Sequence, residues 1–336
     1  MNPFQTTVTV DPLPWLTGYR HKNLFIGSCF TVNIGEQMEK LCYPVDINPF
    51  GILYNPVAIS GCLHRLTNGK PFSENDLFKH NDLWHSHMHH GSFSGETPDE
   101  TLERINQRLA FSSTFLREAG FLFLTLGTAW VYELKASGEV VANCHKVPAD
   151  RFRRFRLSLH ETVDTLRNAL ENAWSVNPGL KIIFTVSPIR HMKDGAHENQ
   201  VSKSTLLLAA DALIKGYGTH RCAYFPAYEI VMDELRDYRF YAEDMVHLSP
   251  VAISHIREKF EEAAIEKESR EEARKILKVL NALDHRPIRK NTSEYYNFLV
   301  KTLKETDDLY KNNSYLQLDS LRERITQKIS EIRESL

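Results

Sequence analysis

Two short segments hold residues that could do acyl chemistry together. Leu24 to Phe30 reads LFIGSCF, and far downstream comes Asp244-Met245-Val246-His247. The first is an apolar run that stops at Gly27-Ser28 and passes into a helical pattern. A serine on such a turn lies beside the free N–H groups of a helix start, which can hold a developing oxyanion. The second supplies an imidazole and a carboxylate on one side of a loop. In chain order Ser28, Asp244 and His247 make a nucleophile, an orienting carboxylate and a general base. Cys29 is a rival nucleophile, because thiolates attack well. It ranks second, since a bulky Cys-Phe pair after the turn is expected to point inward as packing. The plainer alternatives are a serine that caps the next helix and an aspartate that caps a turn beside a surface histidine. The turn lacks the Gly-Lys-Ser/Thr ending of a phosphate loop and the spaced glycines of a dinucleotide site.

Three other groups carry chemistry. Arg190 and His191 follow an apolar run and are placed to meet substrate oxygens. In Trp84-His85-Ser86-His87-Met88-His89-His90-Gly91 a strand would put His85, His87 and His89 on one face, a geometry that suits zinc. Arg151–Arg156 (RFRRFR) interleaves cations with aromatics, as some nucleic-acid surfaces do. The near-neutral balance favours a solvated face that meets an acidic substrate or the tail.

Elements that could position these residues alternate along the first 250 positions. Buried strands are expected at Leu24–Ile26, Phe121–Leu126, Lys181–Val186 and Ala223–Phe225, each followed by a turn (GSCF, GTAWVY, SPIRH, PAYE). Helices are expected at Val32–Leu41, Pro98–Glu118, Leu157–Ser175 and Lys203–Gly216. That alternation points to βα units and a largely parallel sheet, with sites at the carboxyl ends of its strands. After His247, Ser249 and Pro250 open what reads as one long charged helix, broken at His285-Arg286-Pro287, and two more helices follow.

The bulk numbers set limits. The chain has 336 residues, 42% hydrophobic and 25% charged, with 41 basic against 43 acidic side chains. That is an ordinary globular composition with no net field to attract nucleic acid or anionic membrane. No apolar run reaches the ~20 residues of a membrane span, and the N-terminus does not read as a signal peptide. The five cysteines are odd in number and scattered, which suggests free thiols and a cytoplasmic setting.

Taken as a set, these motifs resemble the SGNH/GDSL hydrolase superfamily and, within it, the GSCFA family, through Gly27-Ser28-Cys29-Phe30. Asn48-Pro49-Phe50-Gly51-Ile52-Leu53-Tyr54-Asn55-Pro56, the Trp84…Gly91 stretch and Gly127-Thr128-Ala129-Trp130 look like that family too. So do Asn143-Cys144-His145-Lys146-Val147-Pro148, Ser187-Pro188-Ile189-Arg190-His191 and Asp244-x-x-His247, over roughly residues 20–255. The resemblance implies a three-layer α/β/α flavodoxin-like sandwich over residues 1–255, with a helical extension over 256–336. It implies a serine ester hydrolase or acyltransferase that works through an acyl-Ser28 intermediate on an acetylated carbohydrate or other small acyl ester, without a cofactor. His89 and His90 would then lie over the site, with Gly127 and Thr128 in its floor. Members of the superfamily usually carry an asparagine after the third-block glycine, and Gly127-Thr128-Ala129-Trp130 has none. Losing such a donor costs about 2.7–4 kcal/mol of transition-state stabilisation. The replacements first expected are the backbone N–H groups of Ser28 and Gly51, then Asn143 or His145. Two alternatives stay open: a non-catalytic module that binds a glycan or acyl carrier, and a metal-dependent hydrolase built on the histidine stretch.

Overall fold

Alternate residues of the apolar runs bury on opposite faces of one sheet, and different helices cover each face. In the computed structural model, which describes residues 6–285, 287 and 292–334, the first half runs β1 (Lys22–Gly27), α1 (Cys29–Lys40), β2 (Val45–Ile47), α2 (Pro56–Asn68), β3 (Phe78–His80), β4 (Leu83–His85), α3 (Pro98–Glu118) and β5 (Ala119–Leu126). Next come β6 (Trp130–Leu134), β7 (Val140–Val141), β8 (Phe152–Arg156), α4 (Leu159–Val176), β9 (Lys181–Val186), α5 (Gly195–Tyr217), β10 (Cys222–Tyr224) and the single turn α6 (Ala227–Glu229). The chain finishes with α7 (Pro250–Ala264), α8 (Lys267–Asp284), α9 (Ser293–Asn312) and α10 (Asp319–Arg333).

The central sheet is parallel throughout, in the order β2-β1-β5-β9-β10. Leu24, Ile26, Leu122, Leu124, Ile182 and Phe184 share a core with α2, α3, α4 and α5. Phe25 and Phe123 stack on the other face at 4.4 Å, and Phe260 of α7 meets the Phe123 ring edge-on at 5.5 Å. Helices therefore lie on both faces, as buried strands of a parallel sheet require.

The four expected strands and the four expected helices are present, β9 and α3 with the expected ends and the others with shifted ones. Helix α5 begins at Gly195 rather than Lys203, because its first two turns are polar and carry no apolar stripe. Helix α2 went unread, although Asn55 and Pro56 are an N-cap and a first-turn proline; Asn55 Oδ1 accepts the Ala58 N–H at 2.9 Å. The stretch read as a turn, GTAWVY, instead enters β6, which pairs antiparallel with β7 and β8. RFRRFR is largely strand β8.

Contacts divide the chain into two compact units. The first holds the segment ending at Leu16, Lys22–Glu36 and Val45–Ala264. The second holds Thr17–His21, Gln37–Pro44 and the segment from Ile265 onward. Within the second, Tyr19 stacks on Tyr43 at 3.9 Å and Tyr43 Oη donates to the Ser269 carbonyl. The long helix expected after Pro250 is broken there, since the Glu266 N–H donates to the Thr17 carbonyl at 2.8 Å, outside any helical ladder. Helix α8 ends at Asp284 and His285 follows in extended backbone; Arg286 of the expected break lies outside the described residues. Among the described residues no helix is long and apolar enough to cross a membrane, and the five cysteines are free thiols.

Candidate active site

In chain order the five parallel strands are arranged 2-1-3-4-5, and the order reverses between β1 and β5. Such a switch point opens a crevice at the strands' carboxyl ends. The chain leaves β1 there through Gly27 at φ +147°, where an added Cβ would stand 2.2 Å from the Thr125 carbonyl oxygen. Only glycine lets β5 come this close.

The next two residues part ways. Ser28 is 1% exposed, its N–H donates to the Thr125 carbonyl, and its Oγ has no hydrogen-bond partner. The expected hydroxyl–imidazole contact between Ser28 and His247 is therefore absent. Cys29, the first residue of α1, is instead half-buried and lines a cavity of about 500 Å3 that His247 also lines. Ser28 packs beside the turn that follows β5, its Cβ 3.4 Å from where a Cβ on Gly127 would stand, while Cys29 reaches the cavity. Burial pushes the Cys29 thiol up from its ordinary range. The N–H groups of Cys29 and Phe30 and the Lys203 ammonium pull the other way by favouring the thiolate.

Asp244 and His247 form the expected pair. His247 Nδ1 lies 2.6 Å from Asp244 Oδ2, while Asp244 Oδ1 accepts the N–H groups of Val246 and His247 at 3.0 and 2.9 Å. The hydrogen bonds from His247 hold the Asp244 carboxyl down at about 2, so it stays charged. Met245 between them takes φ 58°, which closes the turn. With Nδ1 engaged, Nε2 is the ring nitrogen left for proton transfer.

The expected oxyanion donors are engaged elsewhere. The Ser28 N–H goes to Thr125 and the Gly51 N–H to the Asn48 carbonyl at 2.8 Å. Asn143 Oδ1 accepts the His145 N–H at 2.9 Å, and the Asn143 N–H goes to His87. His145 Nε2 meets the Ser86 carbonyl at 2.8 Å. None of the four lines the cavity. Asn55 does, nearly buried, at 6% exposure. Its Oδ1 is held by the helix cap, so its Nδ2 amide is the free end, a side-chain donor in a position the sequence reading passed over.

Lys203 was also missed. It is fully buried on α5, and its Nζ donates to the carbonyls of Gly127 and Ser187, both at 2.6 Å. Those carbonyls end β5 and β9, so one ammonium ties two strand ends beneath the cavity. Burial brings Lys203 down to about 7. The available signal was its place on the same helical face as Leu206, Ala210 and Leu213.

The histidine stretch does not cover the cavity. Only Leu83–His85 is strand, so His87 and His89 do not continue one face. His89 is 1% exposed, stacks on Phe50 at 4.2 Å and bonds the Ser86 hydroxyl; burial brings it down to about 3. His90 caps the short turn Gly91–Phe93. His85 is bonded to Ser94 and the His80 carbonyl, and His87 to the Asn143 carbonyl. Among the described residues no three His, Cys, Asp or Glu side chains are grouped to hold a metal.

Of the expected lining residues, Thr128, Arg190 and His191 reach the cavity, whereas His89, His90 and Gly127 do not. Gly127 serves by closeness: its N–H donates to the Tyr54 carbonyl, and a Cβ there would stand 2.8 Å from that oxygen. Tyr54, Trp130 and Tyr132 supply aromatic wall.

Fold and site thus define an α/β protein with a parallel sheet, whose switch-point cavity is lined by a thiol, a side-chain amide and an imidazole that a carboxylate behind it holds. The model of the GSCFA family matches residues 22–260, and that of the GSCFA domain protein, C-terminal domain, matches residues 276–331. The chain belongs to the GSCFA family. No curated protein matches it.

Proposed function

We propose that this protein is an SGNH-type acyl hydrolase or acyltransferase whose nucleophile is the thiol of Cys29. The observation that carries the reading is that Cys29, His247 and Asn55 line one cavity at the switch point of the sheet. His247 Nε2 takes the thiol proton while Asp244 holds Nδ1–H and stabilises the imidazolium. The thiolate adds to the carbonyl of an acyl ester, and the oxyanion accepts from Asn55 Nδ2–H and the N–H groups of the first turn of α1. Collapse expels the alcohol, which takes its proton from His247. The acyl-Cys29 thioester then passes its acyl group to water or to a second hydroxyl. The aromatic wall suits a small ester on a sugar or similar polar acceptor.

Turnover of 4-nitrophenyl acetate and intact mass after a brief exposure to it test the reading. Cys29→Ala is expected to lose both turnover and the acetyl adduct, and Ser28→Ala to keep both. An adduct that survives in Cys29→Ala and vanishes in Ser28→Ala would return the nucleophile to serine.

A further inference from the structure

The cavity wall carries cations that no carboxylate on that wall answers. Arg154, Arg190 and Lys193 line it beside the two histidines, and no Asp or Glu does. The three cations are in different states. Arg154 is bonded through both terminal nitrogens to Asp194, so its charge is met. Arg190 donates to the Met232 sulfur at 3.4 Å, a weak acceptor. Lys193 Nζ donates to Tyr132 Oη at 2.6 Å and stands 5.1 Å from that ring's centre. Among the described residues neither Arg190 nor Lys193 forms a salt bridge. Asp244, the nearby carboxylate of the site, is already committed to His247.

Lys193 is also held in place. It belongs to the single turn Met192–Asp194 between β9 and α5. Strand β8 grips that turn through Arg154–Asp194, and β6 holds it through Tyr132. Arg154 itself lies over the rings of Trp130 and Tyr132, at 4.5 and 5.2 Å. An ammonium fixed by its neighbours loses little freedom when a ligand binds, which favours a real subsite over a chance surface charge.

We infer that the substrate carries a compact oxyanion, a carboxylate or a phosphate, seated between Arg190 and Lys193. That the oxyanion belongs to an acyl ester rests on the reading above; the anion subsite itself stands on this geometry alone. Arg190 and Lys193 are exposed and offer N–H donors with full charge, and an oxyanion would give them the charged acceptor that a neutral ester lacks. The His191 ring beside them is held neutral by burial and by the charges of Lys203, Arg154 and His247, so it adds no further cation near pH 7.

Two nearly isosteric esters test this: 4-nitrophenyl butyrate and the mono-4-nitrophenyl ester of succinic acid. The succinate ester is expected to have a kcat/KM at least about tenfold higher, expressed in KM. Arg190→Gln and Lys193→Gln should each shrink that ratio several-fold, and raising the salt should do the same in the wild type. Equal kcat/KM for the two esters in the wild type overturns the inference. If neither ester turns over, calorimetry on Cys29→Ala with succinate and with inorganic phosphate decides. Binding that Lys193→Gln removes supports the subsite, and the stronger ligand tells a carboxylate site from a phosphate site. No binding of either at about 10 mM overturns it. Failure of turnover alone counts against the acyl-transfer reading and leaves the anion subsite to the binding measurement.

Discussion

Ser28 and Cys29 are neighbours in sequence with opposite fates, and the difference can be measured. A buried hydroxyl without a partner costs stability, so Ser28→Ala should leave unfolding unchanged or raise it by up to about 1 kcal/mol in urea denaturation. Asn55 joins two duties, capping α2 and offering an amide to the cavity. Asn55→Asp keeps the cap oxygen and removes the donor. It should cut kcat about 10²–10³-fold with the melting temperature nearly unchanged. A parallel loss of thermal stability would reduce Asn55 to a cap. Lys203→Met relieves a buried charge but strips the carbonyls of Gly127 and Ser187 of their donor. Each abandoned carbonyl costs about 1–3 kcal/mol, so the variant should be clearly less stable in urea.

At the scale of elements, the histidine segment is packing in place of a lid. His89, His145 and His191 are held neutral by burial, at about 3, 4 and 4. An unfolded histidine titrates near 6.5, so between about pH 6.5 and 4 the unfolded chain binds more protons than the folded one. Stability should therefore be full above this window and fall as pH drops through it, in urea midpoints taken at successive pH values. His89→Phe, which keeps the stack on Phe50, should flatten that slope; an unchanged slope would place the proton uptake elsewhere. The same elements show where the sequence was easy to read. Strands β5 and β9 are continuous apolar runs bounded by turns, so they were visible. Strand β8 is an arginine-rich run on the small antiparallel sheet, where cation–aromatic contacts replace apolar alternation, and its pattern gave no strand signal.

Over the whole molecule, the second unit draws on Thr17–His21 and Gln37–Pro44 as well as on the C-terminal helices. Residues 1–264 expressed alone would leave Tyr19 and Tyr43 without their hydrogen bonds to Ser269. That product should be poorly soluble or several kcal/mol less stable, by expression yield and urea titration. Local patterns, namely apolar runs, caps and turn residues, were enough to announce the parallel α/β architecture, the site at its strand ends and the Asp244–His247 pair, because each is set by residues close in the chain. That Cys29 and Asn55 line the cavity, and that Lys203 is buried against two strand ends, depended on contacts between distant segments. How near β5 passes to Gly27 is set by packing between segments far apart in the chain, and a one-dimensional pattern holds no measure of that distance.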